Sequence, residues 1–171
     1  IYDIMAAMGR NQLKKVDGYV QSKIKSAQQI IDGLSDIQEL APQKVRKGVM
    51  HTYWSLSFTI DTNTLKCTAP EYAEAVSAEG IPTSGPYLLT PNIGPLNKNP
   101  FLSKPDLYGN SKFPLDYNRE TPVNYNETKL PYGDQLMSRN INFSMTPNYN
   151  DEYIGKIIDV HHKVTNYFRS K

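Results

Sequence analysis

His51 and Tyr53, two residues apart in His51-Thr52-Tyr53-Trp54, are the side chains best suited to chemistry in this chain. Ser84 and Tyr87 in Ser84-Gly85-Pro86-Tyr87 come next. An imidazole, two phenols and a hydroxyl can all hydrogen-bond a polar ligand. Each also has a plainer use, because a His can cap a core and a Tyr can fill a strand face by packing alone. Asn92 and Asn97 are weaker candidates of the same kind. His161 and His162 are adjacent late in a helical pattern, so their rings point in different directions and a shared metal ion is not expected. Asp151 and Glu152 read as first-turn charges of that helix rather than as a catalytic acid pair. Cys67 is the only cysteine, which excludes an intrachain disulfide and a cysteine metal cluster.

These residues sit on a chain of 171, long enough for one domain or one domain with an appended helix. Hydrophobic residues make up 39%, sufficient for a compact core at this size. The net charge of +2 is spread along the chain, so no nucleic-acid footprint emerges. No apolar run nears the roughly 18 residues of a membrane span, and no signal peptide is visible. With a lone cysteine, the expected setting is reducing and cytoplasmic. The chain opens on Ile1-Tyr2-Asp3 without an initiator Met, which reads as the interior of a longer protein.

Val16, Val20, Ile24, Ala27, Ile31 and Leu34 recur at three-to-four spacing, which predicts one long helix over residues 3–34, bent near Gly18. Gly9 and Gly18 inside it cost roughly 1 kcal/mol each relative to Ala, and close packing of another element would explain them. Trp54, Leu56, Phe58 and Ile60 alternate with Tyr53, Ser55, Ser57 and Thr59. That predicts a half-buried strand over 51–61 with Trp54 on the core face. Pro70, Tyr72, Ala75, Val76 and Ala78 before Gly80 predict a short helix, and Ile81-Pro82-Thr83-Ser84 a brief edge strand.

Residues 85–135 lose periodicity. All but one of the 12 prolines fall between Pro70 and Pro147, most of them in this stretch. Its aromatics (Tyr87, Phe101, Tyr108, Phe113, Tyr117, Tyr125, Tyr132) argue against plain disorder, so a long Pro/Tyr-rich loop ordered against another part of the protein or a neighbouring subunit is expected. Arg139 to Met145 alternates as a strand. Asn150 or Thr146 then caps a final helix whose buried side is Tyr153, Ile154, Ile157, Ile158, Val160, Val164 and Phe168. The fold class is α+β, a short antiparallel sheet covered by helices on one face.

Five phrases, in order, resemble the DegT/DnrJ/StrS family of pyridoxal-phosphate (PLP)-dependent sugar aminotransferases. Asp3-Ile4-Met5-Ala6-Ala7-Met8-Gly9-Arg10-Asn11-Gln12-Leu13-Lys14-Lys15-Val16-Asp17 is similar to the family's helix phrase "D/E-I/M-x-A-A-x-G-x-x-Q-L-x-K-L-D". Pro42 to Trp54 looks like its strand phrase ending "H-S/T-Y/W", and Ala75 to Ser84 like its "A-L-x-A-E-G-I/V-P". Gly94 to Phe101 resembles "P-L-Y-x-x-P-L/F" of members acting on cyclitols and related sugars. Arg139 to Phe143 with Asn150-Asp151-Glu152 resembles "R-x-I-x-L-P…T-D-E-D-I". The likeness covers nearly the whole chain apart from roughly residues 103–135.

The resemblance implies the small C-terminal domain of a fold-type-I PLP transferase. Residues 1–35 would be a linking helix and 36–171 the domain proper, with the cofactor lysine and its pyridine partner on a large N-terminal domain not present here. No lysine of this chain has a matching motif, so the fragment alone is expected to be inactive. The whole enzyme would be a homodimer aminating a keto-sugar or keto-cyclitol with glutamate or glutamine as donor. His51 would stand at the active-site mouth, with Tyr53, Ser84 and Tyr87 as further substrate contacts. Ser84-Gly85-Pro86-Tyr87 departs from the Arg or His common there, which puts recognition of an anion at that point in doubt. Tyr2 and Asp3 would lie near the phosphate end of the cofactor. The rival reading is a non-catalytic carbohydrate- or protein-binding module.

Overall fold

The computed structural model describes residues 2–85, 99, 102, 108–111, 113, 116–121 and 124–171. Its first two helices are α1 (Asp3–Leu13) and α2 (Val16–Gly33), where the periodicity predicted one. The break falls at Lys14-Lys15, where Lys15 N–H bonds Gln12 O in a tighter turn, and not at Gly18. Packing explains the position. None of the residues of α1 is buried, whereas α2 turns Ser26, Ala27 and Ile30 into the core. Only α2 is therefore held in line by the sheet side of the molecule.

Three strands follow the order β1 (Leu40–Pro42), β2 (Ser55–Ile60) and β3 (Asn140–Ser144), all antiparallel. Leu56 opposes Phe143 and Phe58 opposes Ile141, which puts four large apolar groups on the inner face. Ser55 opposes Ser144 and Ser57 opposes Asn142 on the other face. The short β1 escapes a pattern reading because it is three residues long and ends in Pro42.

Two expectations for this sheet need correction. The strand starts at Ser55, not at His51, and Trp54 is 63% exposed instead of lying on the core. Tyr53 is the cause: its φ of +47° turns the backbone out of the extended form, so the alternation does not run through Trp54, and Tyr53 is the one that is buried. The expected edge strand at 81–84 reduces to a single antiparallel bridge between Ser84 and Asn142. Pro82 has no N–H, and Thr83 N–H is taken by the Ser77 hydroxyl, so neither can extend a ladder.

Helix α3 (Thr62–Leu65) is capped by Asp61, whose carboxylate accepts from Asn63 and Thr64 N–H. Helix α4 (Ala69–Ala78) begins with a full capping box, Thr68 accepting from Glu71 N–H and Glu71 accepting from Thr68 N–H. Helix α5 (Pro131–Arg139) occupies the end of the stretch read as loop, with Pro131 in its first turn and no buried residue. It ends where β3 begins, and Arg139 Nε donates to Ile60 O to tie it to β2. Helix α6 (Asp151–Arg169) is capped by Asn150, as one of the two expected candidates, and buries Ile154, Ile157, Val160, His161, Val164, Thr165 and Phe168. Residues of α2, α4, α6 and the inner sheet face share one hydrophobic core.

Candidate functional site

Two of the predicted site residues come together. Tyr53 N–H donates to His51 Nδ1 at 2.9 Å, and the two rings lie 4.5 Å apart, tilted by 53°. Gln43 completes the cluster: its amide nitrogen is 3.1 Å from His51 Nε2, and its Oε1 accepts from Ser57 N–H of β2 at 3.1 Å. The cluster fixes the chain at its entry to β2. His51 is half-buried, while Tyr53 is buried at the core's margin and presents little to a ligand.

Ser84 lies elsewhere, on the outer edge of β3. It exchanges both backbone hydrogen bonds with Asn142, at 2.9 and 3.0 Å, and Asn142 Nδ2 donates to Gly85 O. This pairing holds one wall of a cleft of about 460 Å³ lined by Trp54, Ser55, Ser77, Pro82, Thr83, Ser84, Asn142, Phe143 and Ser144. Its polar groups are hydroxyls and one amide; no charged side chain lines it. Trp54 also borders a second cleft of about 220 Å³ on its α2 side, with Tyr19, Lys23 and Thr52. Tyr87, Asn92 and Asn97 lie outside the described residues. Tyr2 is 80% exposed and Asp3 opens α1, which has no side-chain cap.

The remaining candidates resolve into structural roles. His161 is fully buried, while His162 Nε2 sits 3.2 Å from Gly33 O and 3.5 Å from Asp36 Oδ1 at the end of α2, so the two rings face apart. Asp151 and Glu152 occupy the first turn of α6. Burial pushes the Cys67 thiol up to about 11, with Glu71 adding to the shift, so it stays protonated and unreactive at neutral pH.

A family model described as the DegT/DnrJ/EryC1/StrS aminotransferase family matches residues 1–114. The chain belongs to that family. No curated protein matches it by sequence. Among solved structures it is similar to PseC of Helicobacter pylori, an aminotransferase involved in the biosynthesis of pseudoaminic acid, with 16% identity and a TM-score of 0.72 over 96% of this chain. DesI, solved with its TDP-sugar product, is 16% identical with a TM-score of 0.72 over 96% of this chain. A GDP-4-keto-6-deoxymannose-3-dehydratase carrying PLP and glutamate is 19% identical with a TM-score of 0.61 over 90% of this chain. The chain spans 37%, 36% and 34% of these three proteins. At these identities the likeness establishes the fold, that of part of an aminotransferase.

The family is PLP-dependent, so the clefts can be tested against that cofactor. PLP needs a lysine amine, a carboxylate for its ring nitrogen, an aromatic face and a cationic or amide nest for its phosphate. The cleft at Trp54 and Ser84 holds no charged group, and the one beside Lys23 holds no acid. A groove between α4 and α6 does gather Glu71, Glu74, Tyr167 and Lys171. There Glu71 is engaged in the α4 cap, and two carboxylates beside one ammonium repel a phosphate. None of these three clefts offers PLP its full set of partners.

Trp54, Ser55 and Ser144 line the larger cleft without standing among the sequence candidates. The serines carry no motif, and Trp54 was assigned inward by an alternation that the φ of Tyr53 interrupts.

Proposed function

We propose that this chain is the C-terminal part of a PLP-dependent sugar aminotransferase that converts a keto-sugar or keto-cyclitol to an amino sugar, with glutamate or glutamine as donor. The observation that carries the reading is the family match over residues 1–114, joined to a fold that spans little more than a third of the whole aminotransferases it resembles. PLP, bound mainly by the remaining N-terminal part, would supply the electron sink for amino transfer. This chain's share is to close one side of the substrate pocket, so alone it is inactive. Residues 1–35 act as the linking segment and 36–171 as the small domain.

Helix α1 supports this division. Tyr2, Ile4, Met5, Met8 and Leu13 are all exposed on it, and Val16 and Tyr19 continue the apolar surface onto α2. A surface of that size is costly in water and suits a covering partner. The N-terminal part of the same protein, and its second copy in a homodimer, are the partners proposed. His51, Ser84 and Tyr87 are the proposed substrate-side residues, with Tyr53 seating the His51 ring through its N–H. Among the described residues no helix is long and apolar enough to cross a membrane. The lone buried Cys67 suits a cytoplasmic enzyme.

The test is the whole protein, with the sequence preceding Ile1, purified in the presence of PLP. It is expected to retain the yellow cofactor and to release 2-oxoglutarate from glutamate when given a nucleotide-linked keto-sugar. A colourless whole protein would overturn the reading in favour of a non-catalytic carbohydrate- or protein-binding module.

A further inference from the structure

We propose that the seam between α4 and α6 is a self-complementary contact surface, which seats the same seam of a second copy of this chain about a two-fold axis. It is separate from the α1 surface assigned above to the N-terminal part, and it does not rest on the aminotransferase reading.

Three observations converge on it. The first is shape. Helix α4 offers Ala75 and Ala78 to the seam, and such short side chains let another chain approach closely. Against them Tyr167 of α6 stands 58% exposed and lines two hollows, of about 310 and 280 Å³, together with those alanines. Each copy thus carries a projecting ring and, beside it, hollows with a small-residue floor. A two-fold axis at Tyr167 places the ring of each copy in a hollow of the other. The ring is already held edge-on against Phe168, with centroids 5.1 Å apart, so docking orders little that was free. A rigid Tyr at the centre of a contact is the type of residue that contributes most to one.

The second observation is charge. Lys163 Nζ bonds both carboxylate oxygens of Glu79, at 2.8 and 2.7 Å, while Glu71 lines the other hollow with Lys171, so α4 and α6 run antiparallel. Glu71 is held by the Thr68 cap. Glu74 has neither a hydrogen bond nor an ion pair among the described residues. The same two-fold axis turns the Lys163 end of one copy onto the Glu74 end of the other, so the copy supplies the counter-ion that Glu74 lacks. The third observation is the balance of the rim. Three carboxylates against two ammonium groups repel an anionic membrane or a nucleic acid. An apolar floor ringed by both signs of charge is instead the anatomy of a small, reversible protein contact.

Sedimentation velocity on this chain over a concentration series tests the contact. The expected mass rises from 19.4 kDa to twice that value. For so small an interface the midpoint is expected on the order of 10–100 μM. Tyr167→Ser and Ala78→Arg, both at exposed positions, should keep their circular dichroism and raise the midpoint at least about tenfold. Lys163→Glu should raise it as well, and Glu74→Lys added to the same chain should bring it back toward the parent value. That rescue follows because in a two-fold contact each of the two residues meets the other. Met8→Glu on α1 should leave the midpoint unchanged. A chain that keeps its monomer mass up to about 1 mM would overturn the proposal. So would association that survives both folded seam variants, a charge-swapped chain no better than Lys163→Glu, or a dimer lost to Met8→Glu. A colourless whole protein would instead sink the aminotransferase reading and leave these masses as they stand.

Discussion

The hydroxyl of Tyr72 on α4 lies 3.1 Å from Nδ1 of His161 on α6, and both side chains are fully buried. Thr165, one turn on from His161, closes the chain at 2.9 Å from the same hydroxyl. His161 Nε2 has no partner. A buried N–H without an acceptor costs more than a bare lone pair, so the proton belongs on Nδ1, donating to Tyr72, which donates to Thr165. Phe58, Phe143 and Tyr72 pack around the imidazole at 5.8 to 6.2 Å between centroids. A polar thread thus pins α4 to α6 inside an aromatic shell.

That environment makes the fold sensitive to acid. Desolvation, with a smaller contribution from His162, lowers the His161 pKa from 6.5 to about 4. In the unfolded chain the ring takes a proton near 6.5, whereas the folded chain resists until about 4. The unfolded state therefore binds more protons across that window, and stability falls as pH drops through it. The loss attributable to this group is of order 3 kcal/mol, complete by about pH 4. Urea denaturation at pH 7, 6 and 5 should show it. His161→Phe, which keeps a ring in the shell and leaves Tyr72 bonded to Thr165, should flatten the slope; an unaltered slope in that variant would refute the assignment.

The glycines of the first two helices separate by their surroundings. A Cβ at Gly33 would run into the Ile158 side chain of α6, whereas at Gly9 and Gly18 it would meet nothing within 4 Å. Gly33→Ala is expected to destabilise by roughly 1–3 kcal/mol through overpacking. Gly18→Ala should stabilise by about 0.5–1 kcal/mol, since only the helix propensity changes. Thermal melts of the two variants, moving in opposite directions, check the pair.

How much of this was legible beforehand follows from where local chemistry and packing agree. Helix α6 could be read because Asn150, Asp151 and Glu152 mark its start and apolar residues recur to Phe168. The inner face of β2 was equally plain at Leu56, Phe58 and Ile60. The close glycine contact was sought at Gly9 and Gly18 but occurs at Gly33, because contacts across elements leave no trace in local pattern. Helix α5 is hidden by its own start signal: Pro131 ends a proline-rich run and so continues the loop pattern, whereas in the fold it is a first-turn proline. Of the candidate site, Ser84, singled out by its phrase in the sequence, lines the larger cleft. Trp54 was lost to one left-handed residue, which no alternation rule anticipates.

Left-handed backbone offers another test. Lys66 closes α3 at φ +51° with an exposed side chain, while Tyr53 holds φ +47° with a buried one. Glycine adopts this region without the steric cost that a side chain brings, roughly 1 kcal/mol. Lys66→Gly should therefore raise the urea midpoint. Tyr53→Gly should lower it, because the ring's burial and its contact with His51 outweigh the relief. If Lys66→Gly proves destabilising, strain at that cap is not what limits α3.

Glu39 and Arg169 tie the loop before β1 to the end of α6 through two parallel hydrogen bonds, Nε to Oε1 at 2.8 Å and Nη2 to Oε2 at 2.6 Å. The Arg169 hydrogen bond is the main reason the Glu39 carboxyl sits below its usual 4.5. A depressed carboxylate stabilises the fold above its unfolded pKa, and that contribution disappears as pH falls through the lower folded value. This window lies beneath the one set by His161, so the two groups separate in a pH series. Because Arg169 is 40% exposed, solvent screens the pair and Glu39→Gln should cost no more than about 1 kcal/mol at neutral pH. Added salt at about 1 M should shrink that difference, since the Debye length falls to roughly 3 Å. A cost that is indifferent to salt would mean that Glu39 acts through packing rather than charge.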